Sequence, residues 1–599
     1  MKNRLTWFGS FLLVWVALVV VRLYVLQIEN HETYSSKAGR QQQRVVEIDP
    51  PRGTIYDSRG RELAVSVEVD SAFAVPREID DPTTVGQALA KILDKDSQKI
   101  AKLLEGDGEF VWLERKLDPP VAAAIRQMDL PGIHFLQEYK RYYPMGGLAA
   151  SVLGFVGVDN QGLGGLEVHY NSRIAGKPGR RTVLKDARRS TASPPTLPAA
   201  DAEPGEDLYL TLDASIQHLA EMELKRAVED NRARGGSIVL LDPMRGAVLA
   251  MATYPTFDPN HFRRFSKAER RNRAIMDAFE PGSTFKIVTF AAALDRNLID
   301  PNDQVDCEMG GIRFGRTRIR DYKPFGVLTY REVLSKSSNV GTIKASMKIP
   351  LEEFYSTIRG FGFGAASGID LPGESPGILR APAQWTVLEP RYISFGQGIG
   401  TTPLQVANGF ATLANGGSLL QPYVVEAVGR GGERVPFHGD PRVLGRPIDA
   451  STALQLERML EGVVATGATG AAAQIAGFIV AGKTGTAQTA EEGGYSPDRR
   501  VASFAGFAPA RRPRVAGLVV IDSPRAGLTG GGSVAAPVFS RVVGRVLGYL
   551  GVAPDERPSE EVWPEQQVQH RSGSPLATNL QVTNRKTEPS LRSSGWIYC

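Results

Sequence analysis

Ser283 and Lys286 stand three residues apart in Ser283-Thr284-Phe285-Lys286, just after the break Pro281-Gly282 and before the helical run Ile287 to Leu294. This puts Ser283 at a helix N-terminus, where free N–H groups and the helix dipole favour developing negative charge. A spacing of three keeps both side chains on one face. Serine beside lysine is a nucleophile beside a base, provided burial or a second cation keeps the amine neutral. Alone, the pattern is equally satisfied by an N-cap serine and an ordinary helix lysine.

Two further clusters supply what that pair lacks. Ser337-Ser338-Asn339 follows Thr329-Tyr330-Arg331-Glu332-Val333-Leu334, a helix start. Ser337 can relay a proton, and Asn339 can hold both a lysine and a substrate carbonyl; alone, polar residues at a turn or cap explain them. Lys483-Thr484-Gly485-Thr486 follows the apolar run Phe478-Ile479-Val480-Ala481, which reads as a buried strand. Lys483, Thr484 and Thr486 can bind a carboxylate and offer an edge to which a peptide adds as a strand. Gly485 lets a ligand backbone come close. The N–H groups of Ser283 and Thr486 are natural oxyanion donors. Together the clusters hold the parts for acylating a serine without a histidine.

Gly477 to Thr484 also fits the nucleotide-loop pattern GxxxxGK[ST] letter for letter. A phosphate loop needs a flexible middle and a following helix. Here the middle is apolar and strand-like, and Thr486 to Tyr495 contains Gly-Gly and no helical stripe, so nucleotide binding is set aside.

The elements that must position these residues are partly legible. Glu47 to Asp57 reads as a strand entering a Pro/Gly turn, with strand alternation from Leu63 to Val75. Pro82 to Met128 reads as helical, and His31 to Arg44 has helix-like spacing. Ser190 to Gly205, rich in Pro, Ala, Ser and Thr, reads as a linker. Beyond it, Leu208 to Asp213 is a strand ending at a helix cap, Ala214 to Asn231 a helix, and Gly236 to Asp242 with Ala247 to Thr253 a hairpin. Strand, long helix, paired strands, helical middle and late strands indicate an α+β fold, an antiparallel sheet flanked by helices.

At 599 residues the chain exceeds a single core. Its net charge of +5 is small for this length. With no zinc-ligand spacing and no basic-aromatic array, it gives no case for nucleic-acid binding. The two cysteines, Cys307 and Cys599, form no disulfide framework. Lys2 and Arg4 precede an apolar run from Trp7 to Val21 that resumes at Leu23, about 20 residues and enough to cross a bilayer. Basic residues before it, and Glu29 and Glu32 after it, favour a cytoplasmic N-terminus. A cleaved signal peptide is the rival, but its best site, Ser36-Lys37-Ala38, lies well beyond the apolar run. The expected organisation is a cytoplasmic tail (1–6), a single transmembrane anchor (7–28), a non-catalytic pedestal (40–189), a linker (190–205), a catalytic domain (206–552) and a disordered tail (553–599).

With those motifs in that order, the chain resembles the class B penicillin-binding proteins, D,D-transpeptidases of bacterial peptidoglycan synthesis. The resemblance extends to Arg52-Gly53-Thr54-Ile55-Tyr56-Asp57 and Gly164-Gly165-Leu166-Glu167 in the pedestal. It continues through Leu210-Thr211-Leu212-Asp213, Thr402-Pro403-Leu404-Gln405 and Gly532-Ser533-Val534-Ala535-Ala536-Pro537-Val538-Phe539. It implies a single anchor, an elongated pedestal and a transpeptidase domain with a serine β-lactamase-like fold. It makes Ser283 the nucleophile on the penultimate D-alanine of a stem peptide, Lys286 its base, and Ser337, Asn339 and Lys483 catalytic partners. Thr484, Gly485 and Thr486 become substrate-binding residues. β-Lactams would acylate the same serine, and no cofactor or metal is implied.

A single anchor, a compact pedestal, Ser394-Phe395-Gly396-Gln397-Gly398-Ile399 and the Gly-Gly-x-Val-Ala-Ala-Pro-Val-Phe run resemble the septal, cell-division members; elongation members carry a similar Gly-Gln-Gly stretch and are the alternative. A glycosyltransferase domain is not seen before the linker. A SEDS-family polymerase in the inner membrane, with other divisome proteins, is the implied partner. A class A β-lactamase would carry an ExxLN glutamate, absent here. A penicillin-sensing receptor would need more than the stretch 1–6 for a signalling domain.

Overall fold

The computed structural model describes residues 2–32, 43–106, 108, 110–184, 202–437, 439–491 and 494–555. Thr6–Glu29 is the one helical segment among them long and apolar enough to cross a membrane, with mean hydropathy 2.4. Most of the stretch with helix-like spacing, the linker and the tail lie outside the described residues.

The catalytic region is built on a five-stranded antiparallel sheet. Its strand order is Ala481–Glu491, Gly494–Ala508, Val515–Asp522, Gly235–Leu241 and Val248–Tyr254. The second hairpin fits the reading of residues 236–253. Gly235–Leu241 is buried along its whole length, which explains its unbroken run of apolar and small residues. The motif-bearing strand is an edge strand, so its outer backbone groups are free of sheet pairing. Helices Lys286–Asp295 and Pro403–Ala414 are buried on nearly every side. Thr402 and Gln405 form a capping box with Pro403 at the first turn, which accounts for the Thr-Pro-Leu-Gln motif.

A second sheet joins early and late parts of the chain. Asp207–Leu210 pairs on one side with Val425–Gly429 and on the other, in parallel, with Ile55–Tyr56. Ile55–Tyr56 continues into Glu62–Ala74, which also carries Ile133–Tyr142 and Val111–Glu114. Strands that precede and follow the stretch 190–205 in the chain thus share one sheet. Two polar clusters fasten the same junction. Asp213 caps helix Ala214–Asp230 and is held by Arg59, Arg61 and Tyr549. Glu167, fully buried, pairs with the buried Arg52 at 2.7 Å and Arg141 at 2.6 Å. The Arg-Gly-Thr-Ile-Tyr-Asp and Gly-Gly-Leu-Glu motifs thus meet in space.

Two local readings need correction. Pro82–Met128 is not continuously helical: helices Pro82–Leu93, Ser97–Leu104 and Pro119–Gln127 are interrupted by the strand Val111–Glu114. That strand joins the edge of Glu62–Ala74, so tertiary pairing overrides the helical pattern. The motif strand starts at Ala481, not Phe478. Phe478 instead closes a turn onto Ile475, and the Ile479 N–H donates to Asp555. Beyond Lys483-Thr484 the chain continues as strand to Glu491 and pairs with Gly494–Ala508, which excludes a phosphate loop followed by a helix.

Candidate active site

Ser283 lies in the 3-10 turn Gly282–Phe285 that leads into helix Lys286–Asp295. Gly282 has φ +54°, a left-handed conformation that glycine adopts without penalty. Its N–H donates to Gly396 O at 3.0 Å, and the Thr289 hydroxyl donates to Ser394 O at 2.7 Å. The Ser394–Ile399 stretch therefore braces the turn that carries Ser283.

Ser337 comes from a different element. Helix Tyr330–Lys336 opens on a capping box between Thr329 and Glu332 and ends at Ser337 with φ 60° and ψ 36°. A non-glycine residue held left-handed is a strained arrangement that surrounding contacts must maintain. The Ser337 hydroxyl donates to Ser283 Oγ at 3.0 Å. It accepts from Lys483 Nζ at 3.0 Å and Lys286 Nζ at 3.3 Å, and Lys286 Nζ also donates to the Ser337 carbonyl at 2.7 Å. One hydroxyl thus connects Ser283 to both lysines.

Both lysines are fully buried. Burial pulls Lys286 down from 10.5 to about 7, against the opposing pull of Asp321. Burial also drives Lys483 well below its ordinary value, and the neighbouring Lys286 adds to the effect. Two adjacent buried amines cannot both hold a proton cheaply, so a neutral amine is available near neutral pH.

Thr486 is exposed on the edge strand beside the nucleophile turn. Its hydroxyl accepts from Gly531 N at 3.0 Å, so the Gly-Gly-x-Val-Ala-Ala-Pro-Val-Phe run supports this strand. Thr484 Oγ1 lies 3.4 Å from both Lys483 Nζ and Thr469 Oγ1. Gly485 does something the sequence did not suggest. A Cβ there would lie 2.3 Å from Ser503 Oγ and 3.0 Å from the Pro281 carbonyl. The glycine lets the strand close against the nucleophile turn; the approach it permits is protein on protein.

Asn339 is placed differently from the expectation that it holds a lysine. Its side-chain amide donates to Arg320 O at 3.2 Å, and neither lysine is among its hydrogen-bond partners. What holds this motif is Asp321, a residue sequence reasoning missed. It accepts from the Ser338 hydroxyl at 2.7 Å, from Asn339 N, and from Val340 N at 3.1 Å. A carboxylate at the start of helix Asn339–Ser346 suits both the free N–H groups and the dipole. Its only sequence signal is an acid closing a run of arginines.

Among the described residues no cluster of His, Cys, Asp and Glu could hold a metal ion. Cys307 is buried and free. The arrangement links a serine hydroxyl to desolvated amines through a second hydroxyl, the parts from which a nucleophile, a relay and a base can be made.

Comparison with known proteins agrees. The penicillin-binding protein transpeptidase domain matches residues 236–544, and the penicillin-binding protein dimerisation domain matches residues 47–210. The chain is 35% identical to a probable peptidoglycan D,D-transpeptidase, PenA, of Neisseria gonorrhoeae over 90% of this chain and 91% of that one. It is 35% identical to the peptidoglycan D,D-transpeptidase FtsI of Escherichia coli over 90% of each. Among solved structures, penicillin-binding protein 3 of Mycobacterium tuberculosis complexed with aztreonam matches with TM-score 0.67 and 29% identity, over 85% of this chain and 98% of that one. A serine wired to two buried lysines, on the fold these relatives share, leads to one conclusion: the chain belongs to the class B penicillin-binding proteins and is a serine-type peptidoglycan D,D-transpeptidase.

Proposed function

We propose that this transpeptidase cross-links stem peptides during septal wall synthesis, with Ser283 as nucleophile and Lys286 as base. The observation that carries the mechanism is the Ser337 hydroxyl, hydrogen-bonded to Ser283 and within reach of both lysines. The proton of Ser283 passes through Ser337 to neutral Lys286 as Oγ attacks the penultimate D-alanine carbonyl. The N–H groups of Ser283 and Thr486 hold the oxyanion. The amide C–N bond breaks, Lys286 returns the proton, and D-alanine leaves. The amine of a second stem then attacks the ester, forming the cross-link and freeing Ser283. Lys483, Thr484 and Thr486 hold the donor peptide along the edge strand, Gly485 lets that strand close against the Ser283 turn, and Asn339 lines the opposite wall. A β-lactam follows the first half of this path and stops at the ester.

The septal role rests on the resemblance of the run 531–539 to the septal members, a run whose Gly531 N–H also supports Thr486 on the edge strand. Thr6–Glu29 serves as a single anchor with its N-terminus in the cytoplasm, leaving 206–552 outside as catalytic domain and 40–189 as pedestal. A SEDS-family polymerase supplies the glycan strands, and divisome proteins bring the complex to midcell. Imaging a tagged copy tests this reading. Signal at midcell is expected; signal along the side wall and none at midcell would assign the elongation role.

A further inference from the structure

Strands Gly311–Phe314 and Thr317–Arg320 form an antiparallel hairpin between the two serine motifs. Its register sets Ile312 opposite Ile319, both buried, and Arg313 opposite Arg318, both exposed. Arg320 shares the face of Arg313 and Arg318, and Arg316 is exposed in the turn. Like charges directly opposite one another destabilise a hairpin. Among the described residues no acid pairs with any of these four arginines.

The nearby acids are otherwise engaged. Asp306 accepts from Glu308 N, Glu308 pairs with Lys344, and Asp321 holds Ser338 and Asn339. Arg318 also has a built seat. A Cβ on Gly311 would lie 2.8 Å from its Nε and Nη2, so the glycine makes room for the guanidinium. The hairpin ends at the site wall, where Arg320 O accepts from the Asn339 side chain.

We infer that this arginine face docks the glycan strand that donates the attacking amine, through the carboxylates of its stem peptides. The inference rests on the transpeptidase reading. A strand bearing many stems is a polyanion, and planar guanidiniums without internal partners suit carboxylates. The face adjoins the Ser337–Asn339 wall, whereas the donor peptide lies along the edge strand at Lys483–Thr486. Docking here would raise the local concentration of acceptor without touching the acylation machinery.

The test uses full-length protein in detergent, with two readouts. One is the rate of labelling by fluorescent penicillin; the other is the KM for soluble, uncross-linked glycan strands as acceptor. In Arg313→Gln/Arg318→Gln we expect unchanged labelling and a KM for strands raised about five- to tenfold, since exposed ionic contacts are individually weak. Arg313→Lys/Arg318→Lys is expected to restore most of the affinity. The wild-type KM is expected to rise with salt while the KM for glycinamide, which has no carboxylate, does not.

A variant KM equal to wild type, or a wild-type KM indifferent to salt, would overturn the inference. So would loss of binding to anionic lipid vesicles with an unchanged KM for strands, which would assign the face to a membrane surface. If the glutamine variant labels poorly, the wild-type salt dependence and the lysine variant decide. A wild-type protein that penicillin does not label would overturn the transpeptidase reading itself.

Discussion

Lys286 and Lys483, 197 positions apart in the chain, converge on one oxygen, the hydroxyl of Ser337, at 3.3 and 3.0 Å. Burial lowers both amines, and Lys286 makes a proton on Lys483 costlier still, so a neutral amine can stand beside the Ser337–Ser283 hydrogen bond.

The pH dependence follows. With Lys286 lowered to about 7, its neutral fraction grows as pH rises through that value. Acylation by a β-lactam should rise about tenfold per pH unit below 7 and level off above it. Stopped-flow acylation from pH 5.5 to 8.5 measures this, and a flat profile would remove Lys286 as base. Stability carries the same sign. Between 7 and 10.5 the unfolded chain binds a proton at this lysine that the folded chain does not, so the site becomes costlier to fold as pH falls across that window.

Ser283→Ala should abolish covalent labelling by fluorescent penicillin while leaving the thermal unfolding temperature close to wild type. Labelling that persists in this variant would place the nucleophile elsewhere.

Gly485→Ala tests the packing role of the glycine. The added carbon meets Ser503 Oγ and the Pro281 carbonyl. Overpacking of this kind costs about 1–3 kcal/mol. It should also push the edge strand off the nucleophile turn, slowing acylation about tenfold or more. Normal acylation with normal stability would show that the strand can shift freely.

Asp321→Asn keeps the size of the side chain and removes its charge. The loss at the start of helix Asn339–Ser346 should cost about 1 kcal/mol. Acylation should slow because Ser337, two residues before Asn339, loses its support. A crystal structure of the variant with Ser337 still left-handed, together with wild-type acylation, would contradict this.

Glu167→Gln leaves Arg52 and Arg141 buried without their counter-charge. Breaking a buried ion cluster from one side costs about 3–5 kcal/mol. Chemical denaturation should show that loss, and a change under 1 kcal/mol would mean that water reaches the cluster.

The parts of the site that were legible in the sequence rest on local rules. Pro281-Gly282 before an apolar helix fixed where Ser283 would sit, and Thr329 with Glu332 announced the helix that ends at Ser337. Long-range relationships were hidden. Asp321 acts across a turn of structure rather than of sequence, so its role has no spacing to read. The partners of Asp213 lie more than a hundred residues before it and several hundred after it. Val111–Glu114 has a helical neighbourhood and becomes strand only because an edge is there to accept it. Gly485 was visible as a close approach, but nothing in the sequence says what approaches.

The parallel pairing of Ile55–Tyr56 with Leu208–Tyr209 bears on how the catalytic half can be handled alone. A fragment beginning at residue 206 would expose a raw strand edge where the pedestal now zips on. It would also strip Arg59 and Arg61 from the acid that caps its first helix. Such a fragment invites edge-to-edge aggregation, and a short peptide spanning 52–62 is the natural patch for it.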